Sequence, residues 1–350
     1  MSKLRTGIAF ALLIALFSAC QNEKVEERYY PEDSSQVQIL EEIPPSESGI
    51  NFSNTITENE TVNAITFDGM LQGAGVAVLD ADNDGLMDIF FASNMQGDRL
   101  YINKGGFKFE DKTREAGIKN INWSTGVAVV DINADGYDDI YVCKFLYDES
   151  ERRANLFYIN NGDGTFTDKA SQMGLADIGY GIMANFLDYD RDGDLDMYLA
   201  NQPPNSLRGK QALKGKINYG YTDRLFRNEN GVFKDVTDIA GVKNYSYSLS
   251  ATSFDYNNDG WTDIYVACDY DEPDFLYRNN GDGTFTDVAD SALKHMSNFS
   301  MGVDIADINN DGHLDVYVAD MVAEDNFRQK TNMSGMNPER FYALAKAGYH

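Results

Sequence analysis

The 350-residue chain carries 56 acidic against 29 basic residues, a formal net charge of −27, and 43% of its residues are apolar. This composition suffices for a core and favours cations as ligands, whereas nucleic acid is disfavoured because phosphate contacts need a basic surface. With three cysteines in a chain of this length, a disulfide scaffold is excluded.

The first 20 residues have the pattern of a secretion signal. Lys3 and Arg5 precede an apolar run that extends from Ile8 to Phe17. The run ends in Phe17-Ser18-Ala19-Cys20, which resembles a bacterial lipobox, so we expect lipidation of Cys20; an ordinary signal peptide with a chance cysteine is the alternative. Residues 21–48 are polar and acidic and are expected to form a flexible tether. These features predict an exported lipoprotein at the outer membrane or cell surface of a Gram-negative bacterium.

An acidic nine-residue motif, D-x-[DN]-x-D-G-x-x-D, recurs five times along the chain. The copies, called loops 1 to 5, begin at Asp80, Asp131, Asp188, Asp255 and Asp307, which are 51, 57, 67 and 52 residues apart. One match would be a weak signal, but five at this spacing indicate a repeat architecture.

A second motif alternates with the loops: a short apolar strand, an Asn/Gly-rich turn and a strand with Phe before Asp, as in "NLFYINNGDGTFTD". The strand after each loop, such as "DIFFA", is apolar on both faces and must be covered on both. Together with the strand before the loop, each repeat holds four strands, as a propeller blade does. The sequence therefore predicts an all-β fold, a β-propeller of four-stranded blades over residues 49–325, with four full units and part of a fifth.

The acidic loops predict calcium binding but not an EF-hand, because an EF-hand needs a Glu at loop position twelve. Phe91 and its counterparts at that position are all apolar. Oxygen ligands without His or Cys favour Ca²⁺, held by side chains at positions one, three, five and nine and by the main-chain carbonyl of position seven. The predicted ligands are Asp80, Asp82, Asp84, Leu86 and Asp88; Asp131, Asn133, Asp135, Tyr137 and Asp139; Asp188, Asp190, Asp192, Asp194 and Asp196; Asp255, Asn257, Asp259, Trp261 and Asp263; and Asp307, Asn309, Asp311, His313 and Asp315. Loops 1 and 3, which have Asp rather than Asn at position three, should bind more tightly because ligand charge raises affinity.

These loops and hairpins resemble the FG-GAP/VCBS repeats of integrin-α-type β-propellers. "GAGVAVLDADNDGLMDIFFA" and "MGVDIADINNDGHLDVYVADM" more narrowly resemble bacterial proteins related to the cartilage acidic protein family, although the ASPIC/UnbV segment of that family is not visible. The resemblance implies calcium at each loop, about five ions, and a ring of seven blades. Two explanations for the smaller number of repeats remain open. Either the chain is a fragment whose irregular or helical residues 326–350 continue in a longer protein, or N-terminal strands near 50–68 close a smaller ring.

One connection is longer than its counterparts. The segment 203–223 carries four basic residues on a very acidic chain, and it is either a ligand loop for an anionic partner or a solvated insertion. The basic residues are Arg208, Lys210, Lys214 and Lys216. We expect the calcium to be structural and the protein to be a surface binding or adhesion module for a glycan or protein partner. No catalytic residue is assigned; a polysaccharide hydrolase or lyase on the same scaffold is the alternative.

Overall fold

The computed structural model describes residues 41–60, 62–63, 68–118, 122–146, 149–202, 221–269, 273–297 and 299–320. The elements described below all belong to the unit Pro44–His350. Within the described ranges, no helix has the length and apolar character needed to cross a bilayer. Cys20, the four basic residues of the 203–223 segment and residues 326–350 lie outside these ranges.

Four antiparallel sheets of four strands follow one another along the chain, and each strand pairs with the next in sequence. Sheet A contains β1 (Val76–Leu79), β2 (Asp88–Phe91), β3 (Arg99–Asn103) and β4 (Phe109–Asp111); sheet B contains β5 (Ser124–Val130), β6 (Asp139–Lys144), β7 (Leu156–Asn160) and β8 (Phe166–Asp168); sheet C contains β9 (Gly181–Leu187), β10 (Asp196–Asn201), β11 (Arg224–Asn228) and β12 (Phe233–Asp235); sheet D contains β13 (Tyr247–Phe254), β14 (Asp263–Asp269), β15 (Phe275–Asn279) and β16 (Phe285–Asp287). Sheet E has two described strands, β17 (Ser300–Ala306) and β18 (Asp315–Asp320). The predicted all-β fold with four-stranded, blade-like repeats is confirmed, and each acidic loop joins the first and second strands of its sheet.

Short helices lie before, within and between the sheets, and those between the repeats were not predicted from the sequence. They are α1 (Pro45–Ser48), α2 (Ser150–Arg153), α3 (Ala170–Met173), α4 (Thr237–Ala240) and α5 (Ala289–Ala292), with a 3₁₀ turn at Asp68–Leu71. In α3 to α5, an Asp that ends the preceding strand accepts a hydrogen bond from the first helical N–H, as Asp168 does from Ala170 at 3.0 Å. The recurring Asp-x-Ala/Thr sequence after each hairpin was the available signal, because carboxylates satisfy the free N–H groups of a helix start.

The sheets are stacked in chain order, and the first strand of each lies against the first strand of the next. Alternate residues of β6 point to opposite neighbours: Ile140 and Val142 join the core shared with sheet A, and Tyr141 and Cys143 join the core shared with sheet C. All residues of β6, β10 and β14 are buried, which confirms for sheets B to D that the strand after the loop is covered on both faces. In sheet E, β18 is partly exposed within the described residues. The described residues do not close a ring, and Val76 and Val78 on β1 are 59% and 58% exposed.

The segment before sheet A lies across that sheet without forming a strand in residues 50–60 and 62–63. Phe52 stacks on Phe91 of β2 with ring centroids 4.8 Å apart. The side-chain amide of Asn54 donates to Oδ1 of Asn94 at 2.7 Å. Within these described residues, the segment therefore covers part of sheet A, and the N-terminal strands that would close a smaller ring are not present.

Candidate metal sites

Loops 1, 2, 4 and 5 curl around the same two hydrogen bonds, which the Asp at position one accepts from the main chain of positions five and six. In loop 1, Oδ1 of Asp80 accepts from the N–H of Asp84 at 3.0 Å, and Oδ2 accepts from Gly85 at 2.9 Å. Gly85 at position six has φ 85° and Asn83 at position four has φ 57°, so two residues take the left-handed conformation. Position six is Gly in every loop, as the sequence predicts, whereas position four is also occupied by Ala134 and Arg191, which gave no such signal.

The ninth-position Asp has a structural role in addition to its predicted role as a metal ligand. Asp88 is fully buried; its Oδ2 accepts from the N–H of Ala81 in its own loop at 2.8 Å, and its Oδ1 accepts from Asn103 of β3 at 2.7 Å. Asp139, Asp196 and Asp263 make the same pair of bonds in their own sheets. This carboxylate therefore joins loops 1 to 4 to the third strand of their own sheets.

Burial raises the pKa of these carboxylates despite the hydrogen bonds that they accept. The pKa of Asp139 is raised to about 6 and that of Asp196 to about 7, in both cases chiefly by loss of solvation, with the neighbouring loop carboxylates adding repulsion. A cation at the loop would oppose this shift because it favours the charged form of each carboxylate.

Two of the five loops bring three carboxylates together. In loops 1 and 3, one oxygen each from the side chains at positions one, three and nine lies within 4.8 Å of the others. These triads are Asp80, Asp82 and Asp88 in loop 1, and Asp188, Asp190 and Asp196 in loop 3. They are the two loops for which the sequence predicts the tighter binding.

In loops 2, 4 and 5 an internal hydrogen bond takes the place of the third carboxylate. The amide of Asn133 at position three donates to Oδ2 of Asp135 at 2.9 Å. The same contact joins Asn257 to Asp259 at 2.8 Å and Asn309 to Asp311 at 3.0 Å. Because the amide already partly compensates the Asp at position five, these loops gain less from a cation. Calcium at all five loops remains a prediction.

Loop 3 is the loop whose carboxylates are least satisfied by the protein. Oδ1 of Asp188 and Oδ1 of Asp194 are buried, and neither has a hydrogen-bond partner within the described residues. The pKa of Asp194 is raised by burial and then by the nearby Asp192 and Asp190. A buried, unpaired carboxylate oxygen is strongly unfavourable without a compensating charge. The donor set of loop 3, oxygens only, therefore fits Ca²⁺.

Loop 3 also contacts the neighbouring loop 4. The guanidinium of Arg191 lies over the ring of Trp261, 4.6 Å from its centroid, and donates to the carbonyl of Gly260. The contact between Arg191 and Trp261 could not be predicted from the sequence, because the two residues occupy variable positions of different repeats. The contact connects the loops of sheets C and D.

The sequence profile described as FG-GAP-like repeat matches residues 80–142, 146–199, 217–266 and 255–318. The chain belongs to the FG-GAP-like repeat family. The matched ranges contain all five loops and end within the second strands of sheets B to E, so the family assignment covers the loops whose geometry is described above.

The chain is also related to cartilage acidic protein 1. It is 28% identical over 262 residues to the protein of Xenopus tropicalis and 26% identical over 274 residues to that of Homo sapiens. Each alignment covers 69% of this chain but 39% and 38% of the relative, so the FG-GAP-like chain spans about two fifths of the length of these relatives.

Two solved structures resemble parts of the chain. An Agrocybe aegerita lectin that recognises non-reducing terminal N-acetylglucosamine matches with a TM-score of 0.33 and 17% identity, over 60% of this chain and 49% of the lectin. The V. cholerae biofilm matrix protein Bap1 matches with a TM-score of 0.39 and 16% identity, over 70% of this chain and 34% of Bap1. At these TM-scores neither structure bears on the ligand of the present chain.

Proposed function

We propose that this FG-GAP-like chain is a calcium-dependent binding module, in which Ca²⁺ stabilises the acidic loops and the repeat array presents a surface to a glycan or protein partner. The observation that carries the proposal is the pair of buried carboxylate oxygens, Oδ1 of Asp188 and Oδ1 of Asp194 in loop 3, for which the described part of the chain provides no hydrogen-bond donor. A divalent cation is the ligand that such an oxygen-only site favours.

In this proposal calcium is structural at all five loops and is bound more tightly by loops 1 and 3. Each loop joins two strands of one sheet, so a bound ion holds the strands in register at that edge. Binding of an ion by the folded loops raises the free energy of unfolding by mass action, since the unfolded chain has no preformed site.

Isothermal titration calorimetry and thermal unfolding test the calcium assignment. We expect a tighter and a weaker class of Ca²⁺ sites, and a higher Tm in Ca²⁺ than in EDTA. Asp190→Asn should remove one tight site, because it deletes a carboxylate from the loop 3 triad. Asp290→Asn is the matched control, since Asp290 is exposed in α5, and it should leave both classes unchanged. Equal Tm values in Ca²⁺ and EDTA would refute the assignment.

The binding role is tested by glycan-array and protein-interaction screens of the purified chain, run in Ca²⁺ and repeated in EDTA. Partners bound only in Ca²⁺ support a module whose surface depends on the loops. Failure to bind any glycan or protein in either condition counts against the binding role.

The proposal includes export and a lipid anchor on Cys20, supported by the signal-like pattern of the first 20 residues. A lipid anchor predicts that the expressed protein sediments with membranes and incorporates a fatty-acid label. Cys20→Ala should abolish the label, whereas Cys143→Ala should not, because Cys143 is fully buried in β6. Labelling that survives Cys20→Ala would exclude this anchor.

A further inference from the structure

A cleft of about 320 Å³ lies between sheets C and D, on the side of the sheets where the acidic loops lie. One side is built from Asp190 of loop 3 and Arg227 of β11. The other side includes Trp261 of loop 4 and the β15–β16 turn with Asp282 and Thr284. The volume lies at the small end of the range for ligand pockets and suits a single sugar-sized molecule.

Arg227 supplies the positive charge of the cleft, on a protein of net charge −27. The guanidinium of Arg227 donates to Oε1 of Glu229 at 2.5 Å, and the ammonium of Lys234 donates to the other carboxylate oxygen. One carboxylate therefore balances two cationic side chains, and Asp190 on the same side of the cleft offsets the positive charge that remains. Arg227 keeps further N–H donors in its planar fork, and its side chain is 42% exposed.

A cation in loop 3 would make the Arg227 side of the cleft positive. Asp190 belongs to the loop 3 triad and also lines the cleft. Without a cation its carboxylate repels an anionic ligand; with a cation its charge is compensated, and the Arg227 side attracts anions. This step rests on the proposed function of loop 3.

The cleft also offers an acceptor for hydroxyl groups on its sheet D side and an apolar surface on its sheet C side. Oδ1 of Asp282 accepts from the N–H of Thr284 at 3.0 Å and from its hydroxyl at 2.6 Å, which leaves Oδ2 as an acceptor at the cleft. Ile239, which also lines the cleft, is 77% exposed and provides an apolar contact. A ligand that fits both sides carries a carboxylate, several hydroxyl groups and an apolar ring face.

We infer that this cleft is a binding site for a uronic acid unit. The sugar carboxylate is bound by Arg227, its hydroxyl groups donate to Asp282, and its ring lies against Ile239. The cation in loop 3 is required because it offsets the charge of Asp190.

Intrinsic fluorescence provides a direct test, because the chain has two tryptophans. Trp261 lines the cleft, whereas Trp123 is 1% exposed and packs in a separate cluster with Phe145 and Tyr180. The probe is methyl β-D-glucuronide, and the matched neutral probe is methyl β-D-glucoside. In Ca²⁺ we expect a saturable fluorescence change with the glucuronide, confirmed by calorimetry, and binding of the glucoside weaker by about tenfold or more. Trp261→Phe should remove the fluorescence change.

The matched variants separate this site from the calcium function. Arg227→Gln should weaken glucuronide binding by about tenfold or more, while both classes of Ca²⁺ sites remain in the titration and Ca²⁺ still raises the Tm. Arg152→Gln, a change in the surface helix α2, should alter neither glucuronide binding nor Ca²⁺ binding.

Equal binding of the two sugars, an undiminished affinity in Arg227→Gln or undiminished glucuronide binding in EDTA would each overturn the inference. If Ca²⁺ raises the Tm but no glucuronide binds, the cleft assignment fails and the proposed function stands. If Ca²⁺ does not bind, the proposed function itself fails.

Discussion

The side-chain amide of Asn160 donates to the main-chain carbonyl of Ala81 at 2.9 Å, and both groups are buried. Ala81 is the second residue of loop 1 in sheet A, whereas Asn160 ends β7 of sheet B. Asn279 of sheet D makes the same contact with Tyr189 of loop 3 at 2.8 Å. The two loops that contain carboxylate triads are thus each held by a side chain from the following sheet.

Asn160→Ala should lower the free energy of unfolding by about 1–3 kcal/mol, because it leaves the buried carbonyl of Ala81 without this donor. It should also weaken Ca²⁺ binding at loop 1, since that loop loses part of its preorganisation. Chemical denaturation and calorimetry measure the two effects. Asn161→Ala is the control, because the side chain of Asn161 makes exposed contacts in its own hairpin. This change should lower the free energy of unfolding by about 0.5 kcal/mol or less. Equal effects of the two changes would contradict the bracing role.

The stabilisation by calcium should grow as the pH rises from about 4 to about 7. In the metal-free protein the pKa of Asp196 is raised from 3.8 to about 7. Between these values the unfolded chain has lost the proton and the folded protein keeps it, so the free energy of unfolding falls as the pH rises. Asp139, with a pKa raised to about 6, acts in the same direction. Ca²⁺ binds the deprotonated carboxylates, so the increase that it causes in the free energy of unfolding should be largest near pH 7.

The measurement is the Tm in Ca²⁺ and in EDTA across that pH range. The difference between the two Tm values should be small near the lower limit and should increase up to about pH 7. Asp196→Asn should flatten part of this dependence because Asn does not titrate. A calcium effect that is constant over the whole range would show that these carboxylates are not linked to the ion.

The sequence predicted the repeat and the strand order because both rest on local patterns. Five copies of one motif and the two-sided apolar strands, as in β6, were enough to specify four-stranded sheets with the acidic loops between first and second strands. Contacts between repeats were not predictable, since Arg191 and Trp261 stand at variable positions 70 residues apart. The same limit applies to the cleft, which exists only where a turn of sheet D faces loop 3.

The position of a ligand surface is equally hard to predict from the sequence, because it depends on contacts between repeats. The 203–223 segment, which is long and basic, is a ligand loop or a solvated insertion on the sequence alone, and most of it lies outside the described residues. Its last residue, Asp223, is fully buried and accepts hydrogen bonds from Tyr198 and Ser248, so that end of the segment belongs to the core. Whether the four basic residues bind a ligand stays a prediction.

Gly126→Ala should strongly destabilise the stacking of sheets B and C. A Cβ atom on Gly126 would lie 2.0 Å from the carbonyl oxygen of Ile182 in β9, so the two strands must separate. Gly302 provides a matched control, because it stands at the same distance before its loop in β17 and a Cβ there meets nothing within 4 Å. Gly302→Ala should be neutral or stabilise by up to about 1 kcal/mol through the unfolded state. Comparable Tm values for the two variants would contradict the close approach of β5 and β9.

Lys144, at the end of β6, is a charged side chain that is only 1% exposed. Its ammonium donates to the carbonyl of Asn122 and to Oγ of Ser124, both at 2.8 Å, and Ser124 in turn donates to Oδ1 of Asp98 at 2.7 Å. Burial lowers the pKa of Lys144 to about 8, and the nearby Asp98 opposes that shift.

Lys144→Met keeps the volume of the side chain but removes both donated bonds and the positive charge near Asp98. It should therefore lower the free energy of unfolding by about 2–4 kcal/mol, as measured by denaturant unfolding. Adding Asp98→Asn should recover part of the loss, because the uncompensated buried charge is then removed as well. Lys108→Met on the exposed β3–β4 turn should change stability by no more than about 0.5 kcal/mol. If Lys144→Met and Lys108→Met lower the free energy of unfolding equally, the buried lysine does not compensate the charge of Asp98.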